Sequence, residues 1–270
     1  MKNDIRSSDI EIVGNIPWGT HFCQFYQTKE DLIELVIPYF KAGLESNELC
    51  IWVTSESFEL EDAERSLEKD VPDFDAYLKR GQVQIIPYSN WFLKDGIFNS
   101  ERVLTEYLKM LNQALANGYN GLRVVEDTSW LGKEYWNYFA DYEEKLDSLI
   151  NSHQMIVLHP YCLDVVNVTE TIDLISRHQK SLIKEKGKWK RIENPMQKDE
   201  AECKPAEEAL RDSEARFRSY FEMPLVGILI TSLDKGIISV NDKFCTLVGY
   251  SADELKGTTW DKITHPEDLA

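Results

Sequence analysis

The 270-residue chain has no CxxC pair, no apolar run near the ~20 residues that span a bilayer, and no surplus of basic residues. Each absence excludes a class. The cysteines Cys23, Cys50, Cys162, Cys203 and Cys245 are odd in number and widely scattered. Neither a disulfide framework nor a zinc site of the usual spacing is expected, and a reducing cytosol fits. Lysine and arginine total 30 against 47 aspartates and glutamates, a formal charge of −17. That balance argues against a nucleic-acid partner, whose phosphates need a cationic face, and against adsorption to anionic lipid. The opening MKNDIRSSDIEIVGNI lacks the ~7–15-residue apolar core of an export signal. A cytoplasmic location is the expectation, with no membrane partner.

One further absence matters more. Residues 21–56 read as strand, helix, strand: an aromatic-rich strand over 21–27, a helix over about 30–44, and an apolar strand over 49–54. In the helix Leu32, Leu35, Val36, Tyr39, Phe40 and Leu44 share one stripe, and Pro38 is expected to kink it. The turn after the first strand, where many α/β proteins hold a nucleotide phosphate, is Gln27-Thr28-Lys29-Glu30-Asp31. It has no glycine. A working phosphate loop needs GxxxxGK[ST], because glycine amides cradle the phosphates. Only Lys29 is on offer, while Glu30 and Asp31 repel phosphate and suit a helix N-terminus. No ATP binding is expected.

The pattern then repeats. Helices are expected over 57–70 and 74–79, a strand over 83–87, and a helix capped by Ser100 and running to about 117. A strand over 122–127, a helix over 133–150, a strand over 155–159 and a helix over 168–177 follow. The segment SLIKEKGKWKRIEN reads as a hairpin turning at Lys186-Gly187. Alternating strands and helices predict an α/β fold, a parallel sheet with helices on both faces. Over 195–212 the composition turns polar, as in a linker that is part-helical near 206–211.

Ligands in open parallel sheets bind beyond the carboxyl ends of the strands. Those ends carry Tyr26, Thr28, Ser55, Glu56, Tyr88, Trp91, Asp127, Trp130, His159 and Tyr161, mostly aromatic with a few polar anchors. They suit an apolar small-molecule pocket, or aromatics that pack under loops. His21 and Cys23 face one side of the first strand, and with His159 and Cys162 they could form a soft-ligand cluster for a metal or haem. The plainer reading makes the cysteines small hydrophobes. The cofactor is left open, and no metal site and no catalytic residue are assigned. His153 and His178 are read as surface residues.

Two resemblances rest on these residues. Residues 213–270 resemble the first part of a PAS domain, on SEARFRSYFEMPLVGILITSLDKGIISVNDKFCTLVGYSADELKG and HPEDLA. Ser213 would cap a helix carrying Phe217 and Phe221 inward. A strand over 225–231, a turn at 234–236 and a strand over 237–240 would follow. Asn241 would begin a helix ended at Gly249-Tyr250, Ser251 and Glu254 would form a capping box, and 265–268 the late turn. A whole domain of this kind takes ~100 residues, so a truncated N-terminal part is expected here.

Residues 15–193 resemble the MEDS domain, the methanogen and methylotroph sensory domain named for DcmR. The carrying residues are Gly19-Thr20-His21-Phe22-Cys23-Gln24-Phe25-Tyr26, the Ile51-Trp52-Val53-Thr54-Ser55-Glu56 strand and Met155 to Pro160. That family is similar to RecA-like and KaiC-like ATPases. In that frame Glu126-Asp127 resembles a magnesium-holding pair and Glu56 a catalytic carboxylate, here structural for want of the glycine cradle. The resemblance implies a signalling input module for a small molecule, perceiving hydrocarbon derivatives. It would relay through a 194–212 linker to the partial PAS domain, with a downstream kinase or regulator domain as partner and a homodimer by analogy. The alternative is the input fragment of a methanogen two-component histidine kinase; an active ATPase is the third reading. No enzyme activity is expected of this chain itself.

Overall fold

Runs of buried apolar residues lay down the middle of a seven-stranded sheet. The computed structural model describes residues 4–56, 58–133, 135–193, 206–232, 236–259 and 263–264. The chain divides into two compact units, Met1–Glu193 and Asn194–Ala270.

The first unit opens with two short antiparallel strands, β1 (Ile5–Ser7) and β2 (Asn15–Pro17). It continues with β3 (His21–Tyr26), α1 (Lys29–Glu45), β4 (Leu49–Thr54), α2 (Leu60–Asp70), α3 (Phe74–Lys79), β5 (Val83–Pro87) and α4 (Tyr88–Trp91). Then come α5 (Ser100–Ala116), β6 (Leu122–Glu126), α6 (Trp136–Asn151), β7 (Met155–Cys162), α7 (Val168–Arg177), β8 (Lys180–Glu185) and β9 (Lys188–Glu193). The strand order is β5-β4-β6-β7-β3-β8-β9. Every pairing is parallel except β8 with β9, which form the expected hairpin through Lys186 and Gly187, both at positive φ.

The two faces of the sheet are built differently. On one, Phe22, Trp52, Val125, Ile156 and Leu158 meet Leu32, Val36, Tyr39 and Phe40 of α1, with Phe58, Ala63 and Leu67 around α2, in an apolar core. Burial of each such large side chain is worth on the order of 1.5–3 kcal/mol. On the other face, under α5 and α6, the inward residues include Glu126, His159 and His21. Here the sheet buries polar groups.

Several boundaries differ from the sequence expectation. Asn99, not Ser100, caps α5, its side chain accepting from Arg102 N at 3.0 Å. α1 runs through Pro38 to Glu45. β7 extends past His159 to Cys162 and contains Pro160. Neighbouring residues of a parallel strand bond alternately to either side. Val157 N donates to Thr20 O on the β3 side, so residue 160 faces β6. There β6 has already ended, and Pro160 O accepts from Thr128 N at 3.1 Å. The missing N–H of proline therefore costs the ladder nothing.

The second unit holds α8 (Ala206–Phe221), antiparallel β10 (Leu229–Ser232) and β11 (Gly236–Val240), α9 (Asp242–Val248) and α10 (Ala252–Leu255). Ser213 lies within α8 rather than at its start, and Phe217 is exposed while Phe221 is buried. The Ser251–Glu254 capping box is present, and Gly249 ends α9 at φ 77°. The expected turn at 265–268 lies outside the described residues, as does most of the turn at 234–236.

Asn241 ties this unit together. Its Oδ1 accepts from Ile228 N and Phe244 N, each at 2.9 Å, and its Nδ2 donates to Phe221 O at 2.6 Å and Val226 O at 2.7 Å. Asn241→Ala removes an N-cap and strands several buried backbone groups, a loss of at least ~2 kcal/mol. Hydrogen exchange should show protection falling across 236–248 with 49–54 unchanged.

Candidate functional site

The turn after β3 is occupied by its own side chains. Thr28 Oγ1 accepts from Asp31 N at 3.1 Å, closing a capping box at the start of α1. Asp31 Oδ2 takes the amides of Gln27 and Thr28 at 3.3 and 3.2 Å, and its Oδ1 pairs with Lys184 Nζ at 2.8 Å. Lys29 is turned to Asp62, 2.8 Å away. The carboxylates that looked wrong for a phosphate serve the helix N-terminus instead.

The residues expected at the strand ends fall into two groups. The first does sit at the carboxyl ends. Asp127, fully buried, accepts from Tyr26 OH at 3.1 Å, Ser55 Oγ at 2.8 Å and Ser129 N at 2.9 Å. Burial pushes its carboxyl above the usual range against those donors. Tyr88 OH donates to Glu56, and the Tyr88 ring stacks on Trp130 at 6.0 Å. Trp130 also stacks on Phe92 at 4.8 Å and adjoins Phe98, Tyr135 and Phe139. Its buried indole N–H has no hydrogen-bond partner among the described residues. Cys162, at the end of β7, belongs electrostatically to this group near Asp127 and Tyr26.

The second group lies within the face of the sheet, not at its edge. β3 and β7 pair so that Cys23 stands opposite His159, and His21 and Cys23 share the face that His159 and Tyr161 present. His21 Nε2 is 3.1 Å from His159 Nδ1. Glu143, from α6, places Oε1 2.9 Å from His159 Nδ1 and accepts from Tyr161 OH. His178 completes the set, with Nε2 3.3 Å from Glu143 Oε1. It is not a surface residue: it caps the C-terminus of α7, 1% exposed, with its ring 4.4 Å from that of His21. Cys23 is at the margin, its thiol donating to Ser181 Oγ at 3.2 Å and acting electrostatically on His178. Of the proposed soft-ligand set, His21 and His159 converge with Cys23 beside them, and Cys162 does not join them.

Glu126 lies behind this cluster. Its carboxylate accepts from Trp91 Nε1 at 2.8 Å, His159 Nε2 at 2.6 Å, Tyr142 OH at 3.0 Å and Tyr107 OH. Trp91 is thus part of the buried network rather than of a strand-end pocket. Burial, reinforced by the charge of His178, takes the His21 imidazole down to about 4. For His159, burial opposes the charged form, but hydrogen bonds to Glu126 and Glu143 outweigh it and raise the ring. Against its own burial, His178 and His159 hold Glu143 well below the usual carboxylate range.

His178 and Glu143 escaped the sequence reading although the signal was there. Thr171, Leu174, Ile175 and His178 follow the spacing of one buried helix stripe, and so do Phe139, Tyr142, Glu143, Leu146 and Ile150. A titratable residue on an apolar stripe is the mark that was missed.

Comparison with known proteins places these features. Residues 237–270 match the PAS fold. A 60-residue segment is 33% identical to the probable diguanylate cyclase DgcE of Escherichia coli strain K12, covering 22% of this chain and 5% of that protein. A KaiC-like protein of Pyrococcus horikoshii OT3 is a structural neighbour at TM-score 0.47 and 19% identity, over 71% of this chain and 84% of the other. Among the described residues no helix is long and apolar enough to cross a membrane. The MEthanogen/methylotroph, DcmR Sensory domain matches residues 20–179, more than half the chain, and the protein belongs to that MEDS family of signalling sensory domains.

Proposed function

We propose that the first unit binds a small, largely apolar molecule carrying a hydrogen-bond acceptor at the carboxyl ends of its strands, and relays occupancy to the PAS-fold segment. The observation that supports this reading is Trp130. Its ring lies in an aromatic nest with Tyr88, Phe92 and Phe98, and its buried N–H has no partner among the described residues. An unsatisfied buried donor costs about 1–3 kcal/mol, which an acceptor on a bound molecule would recover. Asp127, buried and three residues away in the chain, supplies a second polar anchor. The rings supply apolar contact without charge, in keeping with a hydrocarbon derivative. The relay requires that the molecule bind two states of the protein with different affinity.

The test is hydrogen exchange on the purified chain with a panel of one- and two-carbon halogenated and methylated compounds, dichloromethane and methanol among them. Binding should slow exchange over 127–135 and alter it over 206–221. Trp130→Phe keeps an aromatic ring but removes the donor along with part of the indole, and should weaken binding at least about tenfold, the worth of one hydrogen bond at ~1.4 kcal/mol. A panel in which no compound changes exchange at 127–135 would sink the ligand reading. Binding that leaves 206–221 unchanged would sink the relay.

A further inference from the structure

We propose that His21, His159, His178 and Glu143 form a binding site for one divalent first-row transition-metal ion, zinc or a close relative, within the sheet face under α6. One donor atom from each of these side chains lies within 4.8 Å of all the others, and all four residues are buried. Three of the separations are 3.1, 2.9 and 3.3 Å. Ligands at ~2.0–2.1 Å from a tetrahedral ion stand ~3.3–3.4 Å apart, so these contacts need only small adjustment.

The far side of each ring supports the same assignment. His21 Nδ1 faces Asp147 Oδ1 at 3.0 Å, His159 Nε2 faces Glu126 Oε2 at 2.6 Å, and His178 Nδ1 faces Leu174 O at 2.8 Å. Two carboxylates and a backbone carbonyl are the groups that fix the tautomer of metal-bound imidazoles. When the outer nitrogens donate to those groups, the inner nitrogens are left to turn lone pairs toward a shared ion.

Protons on the rings are the simpler occupant, and an imidazolium at His178 beside Glu143 would fit them. A metal ion is the competing occupant: it would take the place of the ring proton and bond both Nε2 and the Glu143 oxygen, which stand 3.3 Å apart. A divalent ion would also offset the buried carboxylates of Glu126 and Glu143. Three imidazoles and a carboxylate suit zinc and its neighbours over magnesium or calcium. Four protein ligands fill a tetrahedral shell, so the ion would be structural or regulatory rather than catalytic.

The experiment begins with elemental analysis of the full chain purified without chelator, followed by stripping and titration with Co²⁺ and Zn²⁺. One equivalent of Co²⁺ per chain should give visible bands of a tetrahedral site, Zn²⁺ should displace it, and either ion should raise Tm. His178→Gln should weaken Co²⁺ binding at least 100-fold. Asp147→Asn, which touches only the far side of His21, should weaken it about 10–100-fold. Each variant is compared with chelated wild type by circular dichroism. Should a variant fail to fold, the wild-type stoichiometry and metal-dependent Tm still decide. Absence of bound metal together with a Tm unmoved by either ion would overturn the site, and so would a folded His178→Gln that binds Co²⁺ as tightly as wild type.

Discussion

Replacing Arg123 with methionine should remove about 3–5 kcal/mol of unfolding free energy, the usual cost of leaving one member of a buried ion pair behind. Arg123 and Glu48 are both fully buried, joined through Nε and Oε2 at 2.5 Å. Arg123 also donates to Tyr39 O at 3.2 Å and Ser7 O at 2.9 Å, and its guanidinium lies 4.7 Å above the Tyr39 ring. Its loss leaves Glu48 with Arg6 as its cation and takes one donor each from Tyr39 O in α1 and Ser7 O in β1. Arg6, 2.8 Å from the other Glu48 oxygen, offsets only part of the charge. Gly43 makes room for this side chain: a Cβ there would stand 2.5 Å from Arg123 Cδ and 2.8 Å from Cys50 Sγ. Gly43→Ala should therefore be costly in the native background and less so beside Arg123→Ala, which removes Cδ and Nε, while the Cys50 contact remains in both. Urea unfolding of the two single variants and the double gives the coupling directly. Additive losses would show that Gly43 serves the chain in some other way.

Glu126→Gln should be nearly as damaging, at roughly 3–5 kcal/mol, although it changes no volume. All four groups around this carboxylate point a hydrogen at it: the Trp91 indole, the Tyr107 and Tyr142 hydroxyls and His159 Nε2. Burial and Glu126 together push both tyrosines far up, so they remain phenols and donors throughout the physiological range. A carboxylate accepts on both oxygens, whereas an amide presents an NH₂ to groups that are already donors. The mismatch cannot be relieved by a flip. Thermal unfolding checks the magnitude, and histidine NMR should report a changed tautomer for His159. A loss below ~1 kcal/mol would mean the network re-forms around the amide, against the cost assigned to a stranded donor.

Much of the scaffold was legible because strands covered on both faces read as unbroken apolar runs, as Leu49–Thr54 does, and because the α1 stripe repeats every three to four residues. β1 and β2, three residues each, leave no such trace. The strand expected over 155–159 continues through Pro160, and only the ladder shows that this proline's nitrogen faces no partner strand. For the candidate site, His21 and His159 stood out as chemistry on strands, but their meeting depends on a β3–β7 pairing between segments more than a hundred residues apart. His178 and Glu143 come from α7 and α6, and only the crossover topology brings them to the same point. Spacing along the chain carries no information about that closure.

At the tip of β6 two adjacent acidic side chains point opposite ways. Glu126 turns toward His159 and the helix-covered face, while Asp127 turns toward Tyr26 and Ser55 at the sheet's edge. A single peptide unit separates the anchor of one cluster from the anchor of the other. Were an ion to sit among the histidines and a small molecule beside Trp130, a shift of that strand tip would be shared by both. Equilibrium linkage then requires equal exchange: whatever factor the ion adds to the molecule's affinity, the molecule must add to the ion's. The domain would behave as a coincidence detector, answering to two chemical conditions at once.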